Sequence, residues 1–267
     1  MNFFYDPDWF NRPGPWAYTL EHFMFIIFTV IIAVILCIFI RKWSPKTVKI
    51  LLISLWGFTV FMDIFKWSVI YTRVFTDSSY PFDIETMLPL HSCSMFMYIC
   101  PLAFFLKDGR MKTAACSFLV CVNMIMGFIT MFVGFGGKNS SVFSFFGFHT
   151  LLYHALIFIT PLLMVVSGYY KLNKKDIIYG LILFGALALA TWIFDEITGC
   201  DYMYIYDGHT FGVLKVIYEN VHHLVWTLIT VSCYVITAVA VHFLILGIYY
   251  LIDKRKHVVE EDDYGEN

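Results

Sequence analysis

The sequence predicts an all-α, polytopic membrane protein: a bundle of seven transmembrane helices, with the N-terminus outside and the C-terminus inside. Three observations carry this prediction: the composition, the number of long apolar runs, and the distribution of Lys and Arg along the chain. Of the 267 residues, 60% are hydrophobic and 14% are charged, whereas soluble domains average about 45–50% apolar and about 25% charged residues. Little of the chain is therefore expected outside the bilayer.

The apolar runs set the number of helices. A transmembrane helix needs about 20 mostly apolar residues to cross roughly 30 Å of hydrocarbon. Seven runs meet this length, and we predict helices over residues 20–40, 48–72, 87–106, 112–135, 143–168, 176–197 and 219–252. Residues 1–19 are then a short extracytoplasmic segment, residues 20–252 the transmembrane domain, and residues 253–267 a charged cytoplasmic tail.

The positive residues give the direction of the helices. Of the eighteen Lys and Arg residues, thirteen follow the first, third, fifth and seventh runs. These are Arg41, Lys42, Lys46, Lys49, Lys107, Arg110, Lys112, Lys171, Lys174, Lys175, Lys254, Arg255 and Lys256. Because connections rich in Lys and Arg remain in the cytoplasm, we predict a multi-pass protein of the cell membrane with its N-terminus outside.

The histidines concentrate at the opposite end. Six of the nine are expected near the outer face: His22, His91, His149, His209, His222 and His223. His154 is expected just beneath them. Ionisable groups inside a membrane are costly, and they usually face the bundle interior or a water-filled cavity. The sequence therefore predicts a histidine-lined cavity that opens outward.

Individual positions can be read on the predicted helices. Asp63 and Lys66 are three residues apart and share a helix face, either as a structural ion pair or as the charged floor of a pocket. His91 is expected on the third helix, one turn inside the outer boundary. Cys93 is roughly 200° around that helix from His91, so the two are not expected to pair. His149 and His154 are about 140° apart, and we expect only one of them to face the interior.

The start of the seventh predicted helix gives a further candidate group. Glu219 and His223 are four residues apart, so the carboxylate can orient the imidazole, as in a base with its partner. The same spacing is also common at solvated helix ends. His222 lies beside them but points about 100° away from His223.

These positions form the candidate site. Candidate catalytic residues are His91, His154 and Cys93; candidate substrate-binding residues are Asp63, Lys66, His149, Glu219, His222 and His223. No metal site and no cofactor are expected, because the sequence contains neither Cys-x-x-Cys nor His-x-x-x-His. Membrane lipids are the expected partners, nucleic acid is not, and the oligomeric state stays open.

Several classes are excluded by missing motifs. The seventh run has no lysine before Lys254, which excludes a retinal Schiff base of the rhodopsin kind. The Asp-Arg-Tyr and Asn-Pro-x-x-Tyr motifs of G-protein-coupled receptors are absent. No P-loop, Gly-x-Ser-x-Gly or His-Glu-x-x-His motif occurs either.

Three segments resemble a known family. Leu88-Pro89-Leu90-His91-Ser92-Cys93 resembles the Leu-Pro-Leu-His-x-Cys signature of bacterial YwaF-like integral membrane proteins. Tyr153-His154 is similar to their Tyr/Ser-His-Gly segment, with Ala155 in place of the glycine. Asp201-Tyr202-Met203-Tyr204 is similar to their Asn-Tyr-Met-Tyr loop. The order of the segments agrees, and the resemblance covers roughly residues 20–250.

The bacterial proteins in turn distantly resemble the animal transmembrane protein 164 family. That resemblance implies acyl transfer between lipids by a cysteine that directly precedes a histidine in Asn-Pro-Cys-His. The histidine corresponds to His91, but the nucleophile corresponds to Leu90, which cannot attack a carbonyl group. Either the chemistry is lost, or Cys93 or a histidine-activated water replaces the nucleophile.

Two functions from different classes follow. The first is an enzyme that transfers or hydrolyses lipid acyl groups, with the histidines as acid–base or oxyanion-binding groups and Asp63 and Lys66 holding the headgroup. The alternative is a transporter or binding protein for a small polar or anionic ligand, or a membrane subunit without chemistry of its own. Against a transporter stands the absence of an internal repeat.

Overall fold

The computed structural model describes residues 17–76, 88–133, 141–207 and 215–265, with side chains as far as residue 72 in the first range and residue 251 in the last. Residues 1–16 of the predicted N-terminal segment and His209 lie outside the described residues. The described chain is helical and contains no β-strand. Its long helices are α1 (Leu20–Ile40), α2 (Pro45–Thr76), α6 (Phe145–Val166), α7 (Asp176–Thr198) and α9 (His223–Gly265).

The shorter elements lie between these helices. They are α3 (Phe96–Phe105), α4 (Arg110–Phe118), a π-helical turn (Leu119–Asn123), α5 (Met124–Val133), a 3₁₀ turn (Tyr202–Tyr204) and α8 (Lys215–Tyr218). The π turn joins α4 to α5, so that Arg110–Val133 forms one continuous apolar span. Among the described residues, six helices are long and apolar enough to cross a membrane.

Local chemistry sets several helix ends. The Thr19 hydroxyl accepts the His22 N–H at 3.2 Å at the start of α1, and the Ser144 hydroxyl accepts the Gly147 N–H at 3.0 Å at the start of α6. Such caps satisfy backbone donors that have no partner within the helix. α7 ends at Gly199, whose φ of +74° is a left-handed conformation that costs glycine little.

The third predicted helix needs a correction. A helix was expected over residues 87–106, but α3 begins only at Phe96, and residues 88–95 form turns. Ten helical residues span about 15 Å, half the hydrocarbon thickness. Pro89 has no N–H to donate. The Asn123 side-chain amide donates to the Ser92 carbonyl oxygen at 2.6 Å, in place of the backbone N–H that a helix would supply.

The core lies between α3, α4, α6 and α7, where Phe96, Phe104, Phe118 and Phe184 are almost completely buried. α6 packs against α1, α2 and α5, whereas α4 packs against α3 and α7. α1 leaves most of its large apolar side chains exposed, as expected of a helix that faces lipid. The central position of α6 brings its polar side chains towards both α2 and α5.

Candidate functional site

A cavity of about 530 Å³ lies at the end of the bundle that holds residues 88–95. Its wall is formed by α2, the 88–95 turns, α5, α6, the 3₁₀ turn and α9. The lining residues are Asp63, Lys66, His91, Ser92, Cys93, Ser94, Met126, Ile129, Thr130, Phe146, His149, Thr150, Tyr153, His154, Met203, Tyr204, Thr230, Cys233, Tyr234 and Thr237. All three candidate catalytic residues and three of the six candidate binding residues are thus brought together.

The non-helical segment 88–95 supplies four consecutive lining residues, from His91 to Ser94. Irregular backbone at membrane depth is tolerated only where it is buried in protein or lines a cavity. Here the buried Asn123 amide donates to the Ser92 carbonyl, and the Ser92 hydroxyl lies 3.2 Å from the hydroxyl of Tyr234 on α9. These contacts hold the turns open towards the cavity.

Both histidines of α6 line the cavity, which corrects the expectation that only one would face the interior. The cavity extends around one side of α6, from α2 to α9, so side chains about 140° apart on the helix both reach it. His149 is 4% exposed and His154 is 8% exposed. The His149 ring also stacks on the Tyr153 ring, with 5.6 Å between the ring centroids.

The charged floor of the cavity is a cluster of three residues. Asp63 is 2% exposed, and its Oδ1 lies 3.2 Å from Lys66 Nζ and 3.3 Å from His149 Nε2. A buried carboxylate is tolerated in this setting because the Lys66 ammonium accompanies it. The predicted Asp63–Lys66 pair is therefore formed, and it takes a third member from α6.

His91 is held by a loop that is distant in sequence. The Met203 N–H donates to His91 Nδ1 at 3.2 Å, and the His91 ring lies 5.1 Å from the Tyr202 ring and 5.3 Å from the Tyr204 ring. Met203 and Tyr204 have φ values of +58° and +56°, a conformation that is uncommon for residues other than glycine. The segment Asp201–Tyr204 thus positions His91.

His154 is held by its own helix. Its Nδ1 lies 2.7 Å from the Thr150 carbonyl oxygen, one turn earlier in α6. No hydrogen bond joins Cys93 Sγ to a histidine among the described residues, so Cys93 lines the cavity without a base already in place. Within the same ranges, no three His, Cys, Asp or Glu side chains are grouped so that they could hold a metal ion.

Glu219, His222 and His223 line no part of this cavity. The expected Glu219–His223 pair is not formed, because α8 ends at Tyr218 and α9 begins at His223, so the two residues do not share a helix. Glu219 instead pairs with Lys215 at 3.5 Å, and His223 Nε2 lies 3.0 Å from Glu196 Oε1. His222 Nδ1 accepts the Leu224 N–H at 3.2 Å.

His22 also lies away from the cavity, although it was expected at the same end of the bundle. It is completely buried; its Nε2 lies 2.6 Å from the Met131 carbonyl oxygen, and its Nδ1 accepts the Tyr18 N–H at 3.0 Å. This histidine ties α1 to α5. The cavity therefore contains three of the histidines that the sequence grouped together.

Sequence reasoning missed several residues of the site. Asn123 and Tyr234 stand in apolar runs without any motif, and only the folded chain brings them to residues 88–95. Met203 and Tyr204 did carry a signal, because they belong to one of the segments quoted for the family resemblance. Their contact with His91 spans 112 positions in the sequence, which no local pattern can show.

The fold and the cavity define a class: a multi-pass membrane protein whose long apolar helices enclose a largely apolar pocket with ionisable side chains in its wall. The family follows from comparison with known proteins. Residues 17–250 match the TMEM164 family, and the chain belongs to it. Neither the comparison with curated proteins nor the comparison with solved structures gives a match.

Proposed function

We infer that this chain is a lipid acyl-transfer or acyl-hydrolysing enzyme of the cell membrane, with its site in the outer half of the bilayer. One observation carries the inference: His91, Cys93, His154 and the Asp63–Lys66 pair line a single cavity. An ester-cleaving site needs a base, a nucleophile and a donor for the developing oxyanion within reach of one carbonyl group. Histidines from two wall elements of one cavity, the 88–95 turns and α6, supply the residue types for the first and third roles.

The proposed orientation rests on the charges of the connections. With thirteen of eighteen Lys and Arg residues on one side, the N-terminus is outside and the C-terminus inside, and residues 253–267 form a cytoplasmic tail. The chain then crosses seven times. Residues 88–105 make the third crossing partly as turns, and the cavity opens towards the outer leaflet.

The substrate is proposed to reach the cavity from the bilayer. Cys233 lines the cavity and is also exposed on α9, a helix long and apolar enough to cross a membrane. A lining residue at a lipid-facing surface gives an acyl chain a lateral route. In this arrangement the Lys66 ammonium, 22% exposed beside Asp63, contacts the anionic part of a headgroup.

The nucleophile is the step in which this chain departs from the family pattern. Leu90 stands where the resemblance implies a cysteine, so attack is assigned either to the Cys93 thiol or to a water molecule activated by histidine. The two routes differ in one observable: only the first forms an acyl thioester on the protein. The segments around His91, His154 and Met203 also support a place for this chain in the bacterial YwaF-like branch.

The test is a lipid assay on the purified protein. The chain is reconstituted in vesicles of phosphatidylcholine and phosphatidylethanolamine, and free fatty acids, lysolipids and exchanged acyl chains are measured by mass spectrometry. His91→Ala and His154→Ala are expected to lower turnover by about 100-fold or more while the protein keeps its elution volume and melting temperature. His242→Ala is the matched control, because His242 is buried outside the cavity.

A second function has its own supporting observation. The Asp63–Lys66–His149 cluster places charge at the floor of the cavity, which also suits a binding protein or transporter for a small polar or anionic ligand. In that case the same vesicles yield no lipid product, and an anionic ligand raises the melting temperature. Loss of folding in both alanine variants would instead assign the two histidines to helix packing.

A further inference from the structure

The two cavity histidines are held by hydrogen bonds of opposite sense. On α6, His154 Nδ1 lies 2.7 Å from the Thr150 carbonyl oxygen. A carbonyl oxygen only accepts, so Nδ1 must carry the hydrogen. In the neutral ring the other nitrogen, Nε2, then has a lone pair and no hydrogen.

His91 is in the reverse state. The Met203 backbone N–H donates to His91 Nδ1 at 3.2 Å, so this nitrogen must be without hydrogen. The neutral His91 ring therefore carries its hydrogen on Nε2. The left-handed backbone at Met203, with φ of +58°, belongs to the turn from which this N–H is directed at the ring.

Each ring thus has one nitrogen occupied by the backbone and one still available. Among the described residues no hydrogen bond is made to either Nε2. Neither Nε2 atom is fully buried, so both remain accessible. Both rings line the same cavity. The backbone contacts therefore leave an acceptor nitrogen on α6, at His154, and a donor nitrogen on the 88–95 turns, at His91.

We propose that His154 Nε2 is the general base of the site and that His91 Nε2–H is the hydrogen-bond donor to the oxyanion. This assignment rests on the proposed acyl chemistry and deepens it, because it gives the two histidines different tasks. It also specifies the substrate as a carboxylic ester, whose carbonyl oxygen faces His91 and whose attacked carbon lies on the His154 side.

The reaction can be followed atom by atom. His154 Nε2 removes the proton from the attacking group, a water molecule or the Cys93 thiol, as its oxygen or sulfur bonds to the ester carbon. The π electrons of the carbonyl move to its oxygen, which accepts the His91 hydrogen bond. When the carbonyl re-forms, the ester C–O bond breaks and the proton on His154 Nε2 passes to the departing alcohol oxygen. If Cys93 has attacked, water or a lipid hydroxyl group then attacks the thioester in the same way, the C–S bond breaks, and the proton returns to the Cys93 sulfur.

Opposite tasks predict opposite responses to the same substitution. The side-chain amide of glutamine can supply an N–H where His91 supplies one, but an amide cannot act as a base where His154 does. His91→Gln is expected to keep measurable turnover of phosphatidylcholine in vesicles. His154→Gln is expected to lose about 100-fold or more. The reverse order, or equal losses in folded variants, would overturn the assignment of roles.

A second measurement is independent of turnover. In protein grown with ¹⁵N-labelled histidine, the ring ¹⁵N signals distinguish a nitrogen that carries hydrogen from one that does not, and the two glutamine variants assign the signals. Hydrogen on Nε2 of His91 and on Nδ1 of His154 is expected. The same tautomer in both rings would refute the proposal. If the native protein forms no lipid product but has these tautomers, the acyl chemistry fails and the donor–acceptor pair remains, as a ligand-binding pair.

Discussion

Two parts of this bundle contain the same residue types, but one part lines the cavity and the other is buried away from it. The cavity contains Cys93, His154, Asp63 and Tyr153. A second group, here called the far cluster, contains Cys121, His242, Asp176 and Tyr170, each at most 9% exposed and none of them lining the cavity. In the part of the chain that the structure describes, cysteine, histidine, aspartate and tyrosine thus form both groups, and the first of them lines the cavity.

The contacts of the far cluster are those of a packed interior. The Tyr170 hydroxyl donates to Asp176 Oδ2 at 2.9 Å, the Asn173 N–H donates to the same oxygen at 3.0 Å, and Cys121 Sγ lies 3.8 Å from His242 Nδ1. Burial, followed by the hydrogen bond to Asp176, raises the pKa of the Tyr170 hydroxyl, which therefore remains a donor. The comparison teaches that residue type alone does not separate a candidate site from a structural cluster. Access to the cavity does.

Thiol labelling should separate the two regions most strongly. In variants that retain a single cysteine, Cys93 is expected to react with a small methanethiosulfonate reagent at least on the order of 100-fold faster than Cys121. The reason is that Cys121, 1% exposed, must await a local opening; 100-fold corresponds to about 2.7 kcal/mol of opening free energy. Labelling after denaturation in sodium dodecyl sulfate, which makes both thiols accessible, is the positive control. Equal rates at Cys93 and Cys121 would show that the cavity is closed to solutes.

Removal of the two aspartates should have different costs. Asp176→Ala leaves the Tyr170 hydroxyl and the Asn173 N–H without their acceptor, at about 1–3 kcal/mol for each buried group. Asp63→Ala leaves Lys66, which is 22% exposed and can be hydrated from the cavity, and it removes the 3.3 Å contact with His149, whose ring lines the same cavity. A smaller loss of unfolding free energy is therefore expected. Reversible unfolding in mixed micelles measures the free energy of unfolding of both variants.

The asparagine variants are the matched controls for this pair. Asp176→Asn keeps an oxygen that can accept from Tyr170, so it should recover part of the loss seen with alanine. A larger loss of stability at Asp63 than at Asp176 would mean that the cavity floor is as tightly packed as the far cluster.

Alanine substitutions at two glycines, one beside each region, test how closely the helices pack there. A Cβ at Gly127 would lie 2.8 Å from the His154 backbone oxygen, whereas a Cβ at Gly180 would lie 2.5 Å from Ser117 Oγ. Each alanine variant is expected to lose about 1–3 kcal/mol of unfolding free energy. Adding Ser117→Ala should recover part of the loss at Gly180, where a side chain is in the way. It should recover nothing at Gly127, where the obstacle is backbone; recovery at both sites would contradict this reading.

The smallest effect is expected at the surface, away from both regions. The hydrogen bond from Lys112 Nζ to Asp108 Oδ1, 2.7 Å long, lowers the pKa of the exposed Asp108 carboxyl group. Its folded-state pKa is thus below the unfolded value, so the pair adds stability above the unfolded pKa and loses it as the pH falls through the folded one. Asp108→Asn should lower the melting temperature barely measurably at neutral pH, and not at all in acid. A difference in melting temperature between the native protein and Asp108→Asn that grows in acid would contradict this prediction.

Most of the fold could be predicted because a helix that crosses a membrane needs an apolar run of about 20 residues, which is visible in the sequence. The run over residues 20–40 coincides with α1, and 176–197 differs from α7 by a single residue. The prediction for the third run was wrong at residues 88–95, because hydropathy cannot distinguish an apolar helix from apolar turns. The Ser92 carbonyl in those turns accepts from the side chain of Asn123, 31 residues further along the chain.

The site could be predicted in its residue types but not in its geometry. Asp63, Lys66, His91, Cys93, His149 and His154 were all selected from the sequence, because ionisable or nucleophilic groups in apolar runs are conspicuous. Their partners were not. The contact of His91 with Met203, and the separation of Glu219 from His223, depend on loops whose path is set by tertiary contacts.

The π-helical turn between α4 and α5 has a consequence for how this chain can vary. A π turn holds one residue more than the α-helical turn it replaces; here the Met124 N–H bonds to the Leu119 carbonyl, five residues back. Deleting any one residue in Leu119–Asn123 would therefore restore an α-helical turn without rotating the residues that follow, and Met126, Ile129 and Thr130 would stay in the cavity wall. The same deletion within α4 would rotate the following residues by about 100°. The π turn is thus the place in this span where the chain can lose one residue and keep its cavity.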